Sequence, residues 1–195
     1  MPIYYDPQKH HRRSIRLKGY DYTQPGAYFI TLVAHQHEML FGEVVDGEMI
    51  LSEYGRIVAE EWERTALVRP YVQLDEFVVM PNHIHGIVWI VDDAVGATRR
   101  VAPTANGYPT GLVSKSLGAI VAQFKSIVTK RIAKTRGAPG TPVWQRNYWE
   151  HIIRNEAALD RIREYILTNP LRWVLDRENP DRQGEDDFDR WLDSL

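Results

Sequence analysis

Val78-Val79-Met80-Pro81-Asn82-His83-Ile84-His85-Gly86-Ile87-Val88-Trp89-Ile90 is the stretch on which the reading of this chain turns. Met80-Pro81-Asn82 gives the apolar run after it a sharp start. The run predicts a strand over 83–91, antiparallel to a strand over 72–80 across the tight Pro81-Asn82 turn. In a strand, side chains two apart project to the same face. His83 and His85 therefore present two imidazoles side by side on a rigid element, which suits a divalent metal. The pattern alone is cheap. His35-Gln36-His37 has the same spacing, where the strand 28–34 gives way to polar residues, and it reads as a strand end or loop with no role. The first pair needs partners elsewhere.

Outward from this stretch the chain alternates strands and helices without strict order. Ala27–Ala34 is rich in β-formers and follows the Pro25-Gly26 turn. Asp46-Gly47 between 40–45 and 48–51 is a two-residue hairpin signal. Ser52 offers an N-cap to a helix over 53–66. A second helix starts at Ser114 or Ser116 and runs to Arg136, with Leu117, Ile120, Val121, Phe124, Ile127, Val128 and Ile132 on one stripe. The aromatic stretch 143–153 contains a short strand. Asn155 caps a helix that Pro170 stops. The expected fold class is α+β, with helices packed on an antiparallel sheet and the hairpin an excursion from it.

The 195 residues suit one domain with appendages, and 44% hydrophobic content supports a real core. We divide the chain into a basic arm (1–20), a main domain (21–175) with a flexible insertion at 92–112, and an acidic tail (176–195). No cysteine is present, so disulfides and thiolate metal sites are excluded. No apolar stretch approaches the roughly 20 residues of a membrane span, and the first sixteen residues lack the apolar core of a secretory signal. The net charge of −2 hides an asymmetry. Lys9, Arg12, Arg13, Arg16 and Lys18 crowd the start. Lys115, Lys125, Lys130, Arg131, Lys134 and Arg136 occupy 113–136 with no acid. Local basic surface is what a polyanion meets, so a near-neutral total does not argue against nucleic acid.

On the helix 155–169, Leu159, Ile162 and Ile166 form the apolar stripe, with Tyr165 beside it. Asn169 lies four residues beyond Tyr165, on one face if the helix runs that far. A phenol and a carboxamide would then point at one place. If that place is the imidazole pair, the chemistry is specific. The imidazoles and the Asn169 oxygen hold a cation, the cation polarises a phosphoryl oxygen, and Tyr165 attacks phosphorus. Against this stand ordinary ring packing for a tyrosine, one of ten in the chain, and a helix C-cap for Asn169. Spacing does not choose Tyr165 over Tyr148.

Several segments, in order, carry a resemblance to a known family: Arg13-Ser14-Ile15-Arg16-Leu17, Gly26-Ala27-Tyr28-Phe29-Ile30-Thr31, Leu40-Phe41-Gly42, Met80-Pro81-Asn82-His83-Ile84-His85, Gln123-Phe124-Lys125-Ser126 and Tyr165-Ile166-Leu167-Thr168-Asn169-Pro170. The chain resembles the HUH single-strand DNA transposases with one catalytic tyrosine, in the branch of REP-associated tyrosine transposases found beside repetitive extragenic palindromes in bacteria. The resemblance implies a ferredoxin-like, HUH-type fold with the His pair on a central strand and the tyrosine on a C-terminal helix. It implies Tyr165 as nucleophile and His83, His85 and Asn169 as ligands of Mg2+ or Mn2+. It further implies cleavage of single-stranded DNA near hairpins through a 5′-phosphotyrosine, in a bacterial cytoplasmic, nucleoid-associated protein. Both homodimers and monomers occur among such proteins.

Arg12, Arg13, Arg16, Lys125, Lys130, Arg131 and Lys134 are the expected phosphate contacts, and binding to them should weaken steeply with salt. Trp144, Tyr148 and Trp149 are candidates for base stacking, against ordinary core packing. Two other functions fit parts of the pattern: a catalytically silent module that binds hairpin nucleic acid, and a metal-dependent phosphoesterase. The first needs none of the four site residues; a two-histidine-motif form of the second lacks its second H-x-T or H-x-S here.

Overall fold

The computed structural model describes residues 17, 19–92 and 113–194. Arg12, Arg13, Arg16 and nearly all of the insertion lie outside the described residues. The elements run β1 (Gly26–Val33), β2 (Gly42–Val45), β3 (Glu48–Leu51), α1 (Glu53–Leu67), β4 (Val72–Val79), β5 (His83–Ile90), α2 (Leu117–Arg136), β6 (Trp149–Ile153), α3 (Glu156–Thr168) and α4 (Asp187–Leu192). The main sheet has the order β4-β5-β1-β6, and each neighbouring pair is antiparallel. Among the described residues the β2–β3 hairpin pairs only with itself. Without it the chain order is βαββαβ, the ferredoxin-like arrangement. The expected α+β class with an antiparallel sheet is the observed one.

Strand alternation sorts the sheet into two faces. Tyr28, Ile30 and Leu32 of β1 and Ile84, Val88 and Ile90 of β5 turn to one face, in a core with Ile57, Val58 and Trp62 of α1 and Ile120, Phe124 and Val128 of α2. Ala27, Phe29 and Ile87 turn to the other, against Leu159, Ile162, Tyr165 and Ile166 of α3 and Phe188 and Leu192 of α4. Helices thus cover β5 on both sides, which explains why it reads as a nearly unbroken apolar run. The odd-numbered residues of β5 share the second face, so His83 and His85 lie under α3 and the chain that follows it.

Side-chain caps set the helix starts. Ser52 Oγ accepts from Gly55 N at 3.1 Å, Ser116 Oγ from Ala119 N at 3.2 Å and Asn155 Oδ1 from Ala158 N at 2.8 Å. Each satisfies a backbone donor that the first helical turn leaves open. Gly137, at φ 64°, ends α2 in the left-handed region. Pro170 ends α3 only in part: the chain tightens into a 3-10 helix over Asn169–Leu175, with the proline in its first turn. The hairpin turns on Asp46 and Gly47, both at positive φ. Its tip leans on this 3-10 segment so closely that a Cβ on Gly47 would stand 2.6 Å from Leu171 Cδ2. Among the described residues, no helix is long and apolar enough to cross a membrane.

Gly86, between the His pair and Ile87, lets Trp62 lie flat against Phe77, with ring centroids 4.5 Å apart and planes within 9°. A Cβ at position 86 would meet Trp62 Cζ2 at 2.5 Å. Gly86→Ala is expected to lower stability by about 1–3 kcal/mol through overpacking, read as a drop in the urea midpoint at unchanged slope.

Candidate active site

The β1–β5 register places Thr31 opposite His85. Thr31 Oγ1 lies 2.8 Å from His85 Nδ1. Asn82 does the corresponding work for His83, with Oδ1 2.8 Å from His83 Nδ1. Asn82 Nδ2 donates to the Glu178 carbonyl at 2.7 Å and lies 3.5 Å from that of His37. Those carbonyls only accept, so the amide is fixed with its oxygen toward His83, and His83 carries its proton on Nδ1. Its Nε2 is then unprotonated and can only accept. Both Nδ1 atoms are therefore engaged from behind, and the Nε2 atoms of His83 and His85 face each other at 3.0 Å. Partners behind the imidazoles that set ring and tautomer are what metal-binding histidines require.

Asp75 anchors α3, the carrier of Tyr165, to the sheet. It accepts from Arg163 Nη2 at 2.7 Å and Nε at 2.9 Å and from Trp89 Nε1 at 3.0 Å. The Arg163 hydrogen bonds hold this carboxyl down to about 2 against its burial. So placed, the Tyr165 hydroxyl is 3.3 Å from His85 Nε2 and donates to Asp176 Oδ2 at 3.2 Å. Asn169, fully buried, donates from Nδ2 to the same oxygen at 2.9 Å. Tyr165 and Asn169 thus point to one place, as their spacing predicts, and that place adjoins the His pair.

The meeting point itself, Asp176, is not among the site residues read from the sequence, which places it at the head of the acidic tail. Its Oδ1 accepts from the Glu178 amide at 2.7 Å, which leaves Oδ2 3.6 Å from His83 Nε2 and 3.7 Å from His85 Nε2. His83, His85 and Asp176 offer three ligand atoms within 4.8 Å of one another, all from buried residues. Asn169 Oδ1 is buried with no hydrogen-bond partner among the described residues. An orphaned oxygen, two imidazole nitrogens and a carboxylate form a donor set that fits a divalent cation. Burial raises Asp176, but the neighbouring His83 and His85 imidazoles and the Asn169 amide outweigh it and keep the carboxyl ionised. Burial first, then the negative charge of Asp176, pushes the Tyr165 phenol well above its usual range. Burial depresses His83 to about 3. The resting site thus holds a neutral imidazole, a protonated phenol and a carboxylate.

The expected phosphate contacts of the second helix do not gather here. α2 covers the opposite face of the sheet, so Lys130 and Lys134 are exposed on the layer away from His83 and Tyr165. Arg131 forks onto Glu60 and Glu61 of α1 at 2.6 and 2.7 Å. Lys125 turns inward and donates to the carbonyls of Gln145 and Asn147 at 2.6 and 3.0 Å, and burial lowers it to about 8. It pins a loop rather than presenting charge. Of the stacking candidates, Trp144 packs against Phe41 in the core, whereas Tyr148 and Trp149 line a cavity beside His85. His37, left without a role, reaches the same cavity and lies 2.9 Å from the Gln145 amide.

A protein of Haemophilus influenzae described only as "Uncharacterized protein" is 42% identical over 178 residues, covering 91% of this chain and 98% of its own length. The two belong to one family. A second Haemophilus influenzae protein, named "Putative REP-associated tyrosine transposase", is 24% identical over 152 residues, 78% of this chain and 74% of its own. A solved structure described as a REP-associated tyrosine transposase bound to a REP hairpin overlays with a TM-score of 0.49 at 18% identity, covering 81% of this chain and 74% of that one. No protein-family model matches.

Two measurements probe this geometry. Thr31→Val removes the partner of His85 Nδ1 and should weaken Mn2+ binding by about 10- to 100-fold in calorimetric titration, with Thr31→Ser close to the parent. Without metal, the unfolded chain protonates His83 below about pH 6.5, while the folded chain resists to about 3. Stability should therefore fall as pH drops through that window, by up to about 1.4 kcal/mol per pH unit from this group. The decline in urea midpoint between pH 7 and 4 should be shallower in His83→Gln.

Proposed function

We propose that this chain, a relative of the REP-associated tyrosine transposases, is a metal-dependent single-stranded DNA endonuclease and strand transferase that cuts near hairpins with Tyr165 as nucleophile. One observation carries the reading: the Tyr165 hydroxyl, the paired His83 and His85 Nε2 atoms and the Asn169 amide all converge on a single carboxylate oxygen of Asp176. A pure binding module needs no such convergence. A phosphoesterase that uses water needs no buried phenol at its metal ligands.

His83, His85, Asp176 and Asn169 would hold the cation, Mg2+ or Mn2+, which neutralises charge on a non-bridging phosphoryl oxygen. Tyr165 Oη attacks phosphorus, and its proton passes to water, since Asp176 Oδ2 would be engaged by the cation. The bond from phosphorus to the 3′ oxygen breaks. That oxygen leaves with the bonding pair and takes a proton from water. The products are a 5′-phosphotyrosine and a free 3′-hydroxyl. Attack of a 3′-hydroxyl on the phosphotyrosine reverses the sequence and joins strands, with no external energy source. The high proton affinity of Tyr165 keeps it inert until phosphate and cation are both in place. The substrate class, hairpin-bearing single-stranded DNA in the bacterial cytoplasm, comes from the resemblance; the name of the more distant Haemophilus relative supports transposition alone.

Incubation with 5′- and 3′-labelled hairpin oligonucleotides and Mn2+ tests this. A covalent protein–DNA adduct is expected, lost in Tyr165→Phe and reduced at least 100-fold in His85→Ala. Cleavage without adduct supports the phosphoesterase, and binding without cleavage supports the silent module; either ends the proposal.

A further inference from the structure

The turn after β1 carries the second H-x-H pair, His35-Gln36-His37. Its backbone is strained. Gln36 and His37 stand at φ 54° and 57°, in the left-handed region that residues with a Cβ rarely adopt. Hydrogen bonds clamp the turn in that shape. Ala34 N donates to the Asn82 carbonyl at 2.7 Å and His35 N to that of Val143 at 2.9 Å, while Glu38 N closes onto the His35 carbonyl at 3.2 Å. Strain that surrounding bonds over-determine concentrates at functional sites.

The side chain so placed is His37. Its ring reaches a cavity of about 270 Å³ that His85, Tyr165, Gln145, Arg177 and Glu178 also line, among others. Behind the ring, Glu178 Oε2 faces Nδ1 at 3.5 Å. At the other nitrogen, the Gln145 amide lies 2.9 Å from Nε2. An amide can turn its nitrogen or its oxygen to that atom, so it suits the ring with or without a proton there. A carboxylate behind Nδ1 and an adaptable partner at Nε2 suit an imidazole that gives up and regains a proton. The side chain is 42% exposed, so solvent can restore that proton. Other groups on this lining are engaged: His85 belongs to the cation set, and Arg177 pairs with Asp189 at 3.0 Å and Asp193 at 3.1 Å. Tyr165 comes to the cavity from α3 and His37 from the turn after β1. Two separate elements suit an in-line displacement, which needs its proton donor across phosphorus from the nucleophile.

We propose that His37 is the acid that protonates the departing 3′ oxygen. The inference rests on the functional reading above and gives the leaving group a protein donor in place of water. As the bond from phosphorus to that oxygen breaks, its electron pair goes to the oxygen, which takes the proton from His37 Nε2. The ring is left neutral, with its Nδ1 proton toward Glu178, and solvent reprotonates it. In the joining direction the neutral ring takes the proton of the attacking 3′-hydroxyl.

The test is the single-turnover rate of covalent adduct formation in Mn2+ on two substrates. One is the labelled hairpin oligonucleotide; the other carries sulfur in place of the 3′ oxygen at the bond the parent protein cuts. A thiolate leaves without a proton. His37→Asn removes the imidazole and keeps the turn, because asparagine tolerates the left-handed region. It should slow adduct formation by about 10²- to 10⁴-fold on the oxygen substrate and leave the sulfur substrate close to the parent rate. Oligonucleotide binding in EDTA should be unchanged, which shows the fold intact. Equal losses on both substrates mean that the turn only shapes the cavity, and an undiminished rate on oxygen means that His37 takes no part. Either result overturns the inference while the functional reading stands. If the parent forms no adduct on either substrate, the functional reading itself fails.

Discussion

The pairing of β1 with β5 is the constraint from which the candidate chemistry follows. It fixes Thr31 across from His85, and the strand period then sends His83 and His85 to the face that α1 and α2 do not occupy. A shift of one residue would move both imidazoles into the opposite core and turn Ile84 toward the tyrosine. Such a shift would also bury polar rings in an apolar layer. The apolar packing of Tyr28, Ile30 and Leu32 therefore protects the register, and with it the geometry on the other side of the sheet.

The site is assembled from segments far apart in the sequence, and a hydrogen-bond chain couples them. Asn82 orients His83 and also holds the carbonyl of Glu178, two residues past Asp176. Asp176 in turn holds Asn169 and Tyr165. The Met80-Pro81-Asn82 turn thus does more than begin a strand: through one amide it sets an imidazole tautomer and draws in the distant carboxylate. Removing any member leaves buried polar groups without partners, which costs more than the bond itself.

Much of this was legible in the sequence because it is local. Alternation marks strands, Asp46-Gly47 marks the hairpin, and Ser52, Ser116 and Asn155 mark helix starts through chemistry within a turn. Tyr165 and Asn169 share a face by helical period, and the H-x-H pair by strand period. What period cannot give is which layer a helix joins. The basic stripe of α2 looks like a polyanion surface on its own, yet α2 packs on the far side, Arg131 is claimed by Glu60 and Glu61, and Lys125 bends inward to two carbonyls. Asp176 was missed for a related reason. It stands at the head of an acidic run, and one carboxylate there is indistinguishable from its neighbours. The only hint was its place seven residues after Asn169, across a proline-started turn too irregular for a periodic argument.

The contact between Gly47 and Leu171 has a consequence for how the protein can vary. Leu171 sits inside the short tight helix that begins at Asn169 and delivers Asp176. The hairpin tip is thus a doorstop behind both candidate oxygen ligands, although it lies far from them in the chain and bears no reactive group. Lengthening that turn would shove the doorstop and spread the cage. A peripheral ornament of the fold has in this way become a gauge for the spacing of its centre.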